Sequence, residues 1–184
     1  MDILKWKTLS SKYLVKEKWA TLRVDTCDLQ NGIIKDDYYV LEYPNWVNAI
    51  ALTEDNKIIM VRQYRHGIGE ESIELPGGVV EEGESIEEGV KRELLEETGY
   101  RFETLEFLGK ISANPSTTNN LMHMYLATGG EKVAEQNLDE AEEVEVVYYT
   151  LDEIKQLVKE NRILQSLHVN CIFYALARLG EMTY

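Results

Sequence analysis

The chain has 184 residues, room for one domain or one domain with a small appended element, and enough to bury a core without disulfides or a structural metal. Nineteen Lys and Arg against thirty-three Asp and Glu give a net charge of −14, which argues against a nucleic-acid partner. Cys27 and Cys171 lie too far apart to read as a zinc site or disulfide framework, no apolar run approaches the roughly 18 residues of a membrane span, and no secretory leader pattern opens the chain, so the expected setting is a reducing cytoplasm without membrane contact.

In chain order, residues 19–28 alternate apolar and polar side chains and 38–43 are rich in β-formers, with Gln30-Asn31-Gly32 as a turn between them. They belong to a β-rich segment over residues 1–45 that precedes the main domain at 46–184. Residues 46–52 and 57–64 flank Glu54-Asp55-Asn56 as a second hairpin, and Pro76-Gly77-Gly78 follows as a breaker cluster. From 86 to 98 the periodicity turns helical. Ser85 and Glu88 stand at capping-box spacing, Gly99 stands where a left-handed C-cap belongs, and Ile86, Val90, Leu94 and Leu95 form the apolar stripe. Residues 105–112, 122–127 and 144–149 read as strands, and 151–159 and 164–179 as helices, the last a packing helix without evident chemistry. A mixed sheet with helices on its faces, an α/β fold, is the packing solution for this order.

Glu93, Glu96 and Glu97 stand at i, i+3 and i+4, so their carboxylates share one helix face. Like charges at that spacing weaken a helix by a few tenths of a kcal/mol each, roughly. A hard divalent cation that neutralises them is the simplest reason to keep them, and an oxygen-only set suits Mg²⁺, with Mn²⁺ as a substitute. Gly77-Gly78 lets backbone approach a ligand and frees a carbonyl for the metal. A second acidic run, Asp139, Glu140, Glu142, Glu143 and Glu145, reads by itself as either a solvated loop or part of the same site.

Gly78, five residues, Glu84, seven residues, and then Arg92-Glu93-Leu94-Leu95-Glu96-Glu97-Thr98-Gly99-Tyr100 resemble the signature box of the Nudix hydrolases, with Tyr100 the one departure where an aliphatic residue is usual. The resemblance implies an α/β/α sandwich with a mixed sheet. It implies that Glu93, Glu96, Glu97 and the Gly77 carbonyl ligate metal, with Glu96 also catalytic, and that Arg92 pairs with Glu84. Val61-Arg62-Gln63-Tyr64-Arg65 followed by Glu74-Leu75-Pro76-Gly77-Gly78, together with Pro115 placed 15 residues after Tyr100, resembles the ADP-ribose pyrophosphatase branch. That branch implies substrate contacts from Arg65 and Pro115, a catalytic Glu140, a metal-ligating Glu142, and a homodimer in which the N-terminal segment is exchanged. The sequence around Pro115, Asn114 to Asn120, lacks the acidic and glycine residues that often surround that proline. The expected substrate is therefore a small-molecule nucleotide, ADP-ribose or similar, with nucleotide sugars and other nucleotide pyrophosphates as the alternative and a non-catalytic ligand sensor behind them. His123, Trp19 and Trp46 read either as substrate contacts or as structural residues.

Overall fold

A computed structural model of the chain describes residues 5–138 and 142–182, which cluster into two units: the described part of Met1–Pro44 with Ser112–Leu121, and Asn45–Ile111 with the described part of Met122–Tyr184. In the first unit β1 (Lys7–Glu17), β2 (Ala20–Asp28) and β3 (Ile34–Glu42) form an antiparallel sheet in that order. Asp28 and Asn31 close the β2–β3 turn by accepting from the backbone N–H groups two residues on, while Gln30 and Gly32 adopt positive φ. The segment 112–121 lies along β3: Leu41 N donates to Thr117 O at 2.7 Å, and Tyr38 Oη donates to Ser116 O at 2.8 Å. Strand β1 is absent from the reading of the sequence for a physical reason. Its pairing with β2 shifts register between Thr8 and Ser10 and again between Tyr13 and Val15, which breaks the period of two that marks a strand.

The second unit contains β4 (Trp46–Thr53), β5 (Ile58–Arg65), β6 (Glu70–Glu74), β7 (Gly77–Val79), α1 (Ile86–Thr98), β8 (Tyr100–Arg101), β9 (Thr104–Ile111), β10 (Met122–Lys132), β11 (Glu145–Tyr149), α2 (Leu151–Lys159) and α3 (Ser166–Arg178). The sheet runs β11-β5-β4-β10-β8, with β6 on β5, β7 on β4 and β9 on β10; β4 and β10 are parallel and the other pairs antiparallel. Alternation along the strands builds two cores. Val47, Ala49 and Ala51 of β4, Ile59 of β5 and Tyr125 and Ala127 of β10 pack with Val90 and Leu94 of α1. The intervening Ile50, Ile58, Met60, Met124 and Leu126 pack with Ile154, Leu157, Cys171, Ile172 and Leu176 of α2 and α3. A helix layer on each face makes this unit the expected α/β/α sandwich with a mixed sheet. Among the described residues no helix is long and apolar enough to cross a membrane.

One irregularity of the sheet positions the site. β5 pairs with β4 only at Ala51↔Ile59 and Leu52↔Ile58, and farther along β7 takes the same edge of β4, with Val47↔Gly78 and Asn48↔Gly77 in register. The Pro-Gly-Gly cluster is therefore part strand. Gly77 has φ 151, and a Cβ there would lie 2.2 Å from Val47 O, so only glycine lets β7 come this close. α1 then starts at a complete Ser85/Glu88 capping box and ends at Gly99, whose φ of 76 is left-handed.

Candidate active site

Arg92 organises the first half of the site. Its Nε donates to Glu84 Oε1 at 2.9 Å, and Nη2 donates to Glu84 Oε2 at 3.1 Å and to Val79 O, the last residue of β7, at 2.7 Å. Nη1 donates to Glu93 Oε1 and Glu96 Oε2, both at 3.0 Å. One planar guanidinium thus ties the β7–α1 loop, the end of β7 and two carboxylates together, a geometry that a point-like ammonium does not supply. The hydrogen bonds from Arg92 hold Glu84 below the usual carboxylate range, and those it makes raise its own pKa.

Glu97 is the most buried acid of the helix, 9% exposed, and its Oε2 accepts the Gly77 N–H at 2.8 Å. Burial pushes its pKa up to about 8; the Gly77 N–H opposes the rise, and the charges of Glu93 and Glu142 add to it. Burial likewise raises Glu93, against the pull of Arg92. The Glu93 carboxylate lies directly over Gly78, where a Cβ would meet its Oε1 at 2.5 Å. Among the described residues no three acidic, His or Cys side chains already converge on one ion position; Arg92 bonds Glu93 and Glu96, and the Gly77 N–H bonds Glu97. The set nevertheless fits a divalent cation by its chemistry. It consists of carboxyl oxygens, partly desolvated and mutually repelling once ionised, beside a glycine cradle that leaves no room for a side chain.

The second half comes from β5, β6 and the stretch before β11. Arg62, Tyr64, Arg65, Leu138, Glu142 and Glu145 are among the residues lining a cleft of about 820 Å³. Arg65 forms a two-point ion pair with the buried Glu74, Nε to Oε1 at 2.9 Å and Nη2 to Oε2 at 2.6 Å. Burial would raise Glu74, but the Arg65 hydrogen bonds and the neighbouring charges hold it low; Arg65 in turn is raised by Glu74, with smaller contributions from Glu97 and Glu142. Arg62 pairs with Glu145 across β5 and β11.

The sequence-predicted residues are thus distributed as follows. Gly77, Glu93, Glu96 and Glu97 come together at the β7–α1 junction, Glu142 is close enough for its charge to act on Glu93 and Glu97, and Arg65 lines one cleft with Glu142. Gly77 is held through its N–H. Glu140 lies outside the described residues. Pro115 sits in the Asn114–Thr118 turn of the first unit, where Asn114 O accepts from Thr117 N and Thr118 N. Trp46 packs against the core of α2 and α3, Trp19 is 73% exposed in the first unit, and His123 stacks near Phe107 at 6.1 Å. Two residues escaped the sequence reading. His168, buried on α3, accepts the Leu75 N–H on Nδ1 at 2.9 Å, two residues before Gly77, so the last helix does brace the site. Gln136 donates from one amide nitrogen to Glu97 O and to Val144 O. His168 reaches a backbone atom 93 residues away and Gln136 one 39 residues away, which residue spacing does not reveal.

An acid-rich helix behind a glycine cradle, on one face of a mixed sheet sandwich, defines an α/β/α protein with a candidate divalent-cation site. The NUDIX domain model matches residues 43–167, and a nucleoside diphosphate sugar hydrolase N-terminal domain model matches residues 6–41. The chain belongs to the Nudix family and is a Nudix hydrolase. It is 36% identical over 169 residues to the methanol dehydrogenase activator of Bacillus methanolicus, covering 91% of each chain. It is 31% identical over 175 residues to an ADP-ribose pyrophosphatase of Bacillus subtilis, covering 95% of this chain and 94% of the relative. A crystal structure of an ADP compounds hydrolase superposes with a TM-score of 0.84 over 98% of this chain and 97% of its own, at 22% identity, and shares the fold.

Proposed function

We propose that the protein hydrolyses the diphosphate linkage of a nucleoside-diphosphate derivative in the cytoplasm, with ADP-ribose or a close analogue as substrate and Mg²⁺ as cofactor. The observation that carries this reading is the burial of Glu97 beside Glu93, two acids whose ionisation the protein alone disfavours, at the β7–α1 junction. Glu93, Glu96, Glu97 and Glu142, with the Gly77 carbonyl, would hold the ion, Mn²⁺ being a substitute. Bound there, it neutralises diphosphate oxygens and lowers the pKa of a water. Glu74 occupies Nε and Nη2 of Arg65 and aims the guanidinium, whose Nη1, without a partner among the described residues, would donate to a phosphate or terminal ribose oxygen. Glu140 accepts the proton of the attacking water, and Glu96 assists from the helix. Water adds to one phosphorus as the bridging oxygen leaves with the other, so ADP-ribose yields AMP and ribose 5-phosphate.

Two observations favour alternatives. The sugar-hydrolase N-terminal model over residues 6–41 supports a nucleotide sugar in place of ADP-ribose. The name of the 36%-identical relative adds a dehydrogenase as a target. The exposed apolar side chains of the N-terminal sheet, Leu9, Tyr13, Leu14 and Trp19 among them, support a homodimer. The test is phosphatase-coupled phosphate release over ADP-ribose, nucleotide sugars, dinucleoside polyphosphates and plain nucleotides, with Mg²⁺ or Mn²⁺. Preference for ADP-ribose or a nucleotide sugar is expected. No turnover on any of them, with a dehydrogenase activated instead, would overturn the small-molecule reading.

A further inference from the structure

The C-terminal end of α1 is finished by a segment that sits 34 to 41 residues later in the chain. An α-helix leaves its last carbonyls without partners. Here Leu95 O accepts from Gly99 N at 2.8 Å, Glu96 O from Asn137 N at 2.8 Å, and Glu97 O from Gln136 Nε2 at 2.7 Å. Val133 N and Ala134 N both donate to Gly99 O, and a Cβ on Gly99 would lie 2.1 Å from Ala134 O, so the segment passes tightly beneath the helix end. The second proton of the Gln136 amide goes to Val144 O at 3.0 Å, at the entry to β11 and two residues after Glu142. Two of the carboxylates placed in the site are therefore near neighbours, in the chain or by residue, of the two carbonyls that one amide group bridges. One belongs to α1 and one to the stretch before β11, and the field of Glu142 reaches both Glu93 and Glu97.

We infer that Gln136 is a positioning residue that joins the two halves of the carboxylate site, its side-chain amide setting Glu142 against Glu97 by bridging Glu97 O and Val144 O. The inference rests on the metal-dependent reading above. An amide has two donors on one nitrogen, so it can hold two carbonyls at a fixed separation, which no single backbone N–H does. Gln136 is itself exposed, and water can replace either bond when the amide is removed. Its loss therefore acts on the geometry of the site more than on the fold. An error of about an ångström in such a group costs up to roughly 100-fold in rate.

The test is Gln136→Met, which keeps the length and removes both donors, with Gln136→Asn as a second variant that keeps the amide but is one methylene too short to bridge. Mn²⁺ alone is titrated into the full-length protein by electron paramagnetic resonance, and kcat and the Mg²⁺ concentration for half-maximal turnover are measured alongside the melting temperature. The expected result for both variants is Mn²⁺ affinity weakened by about 10-fold, in the range found for residues that orient metal ligands, with the melting temperature nearly unchanged. In a Glu142→Gln background the same substitution should change Mn²⁺ affinity less than about twofold, because the partner it positions is already gone. Equal losses in both backgrounds, or no loss in either, would overturn the inference. Absence of Mn²⁺ binding by the unsubstituted protein would instead overturn the metal reading, and the inference with it.

Discussion

At the scale of single residues, the site depends on groups whose neighbours leave them little freedom. Glu97→Gln keeps an acceptor for the Gly77 N–H, so the variant should fold; turnover should fall by about 100-fold or more as a metal-binding charge is lost. Gly78→Ala should also fold yet lose activity, because the new methyl group occupies the place of the Glu93 carboxylate. Steady-state kinetics on the purified, folded variant checks it, and full activity would show that Glu93 is not needed where it lies. His168 offers a test of pH. Burial holds its pKa down to about 4, with Glu74 opposing and Arg65 reinforcing, so the folded protein keeps the ring neutral with Nδ1 accepting from Leu75. A depressed histidine contributes stability that is present above its ordinary value of about 6.5 and is lost as pH falls toward 4. His168→Asn, which retains an acceptor and cannot titrate, should flatten this limb. Urea unfolding of both proteins between pH 7 and 4.5 should show the gap between them narrowing as pH falls; parallel curves would contradict the assignment.

At the scale of elements, the β7–α1 junction is braced by Arg92, which reaches Glu84, Val79 O, Glu93 and Glu96 at once. Arg92→Lys keeps the charge but not the fork, so a loss of about 1–3 kcal/mol in unfolding free energy is expected, with activity reduced further than stability alone explains. Denaturant unfolding together with kcat separates the two effects. This helix was legible before any coordinates, since Ser85, Glu88 and Gly99 punctuate it and Val90 and Leu94 mark its buried side. β2 was legible from its alternation of apolar and polar residues, and β10 from its run of apolar and aromatic ones. What escaped was written in backbone geometry. β1 hides behind two register shifts, β7 behind glycines that carry no apolar pattern, and β6 in a short polar stretch. The carboxylates of the helix were readable from spacing, whereas Gln136 and His168 act on backbone atoms of distant residues, which no spacing rule encodes. The Arg65–Glu74 pair was likewise unreadable as a pair, although both residues were singled out in one motif.

At the scale of the whole molecule, a net charge of −14 and a concentrated acidic site suit a small substrate that arrives neutralised by metal, and disfavour a polyanionic one. The N-terminal sheet contrasts with this charge: β1 is exposed along its whole length and carries Leu9, Tyr13, Leu14 and Val15. Light scattering should give twice the mass of one chain, and Leu9→Asp with Leu14→Asp should return it to the mass of one chain; a wild-type monomer would refute the dimer. The proposed reaction, hydrolysis at a diphosphate, depends on the carboxylates of α1. The most direct measurement is chromatographic product analysis of ADP-ribose incubated in Mg²⁺ with the wild-type protein and with Glu97→Gln. AMP and ribose 5-phosphate are expected in equal amounts from the wild type, and a rate lower by about 100-fold or more from the variant. Equal rates from the two proteins would contradict it.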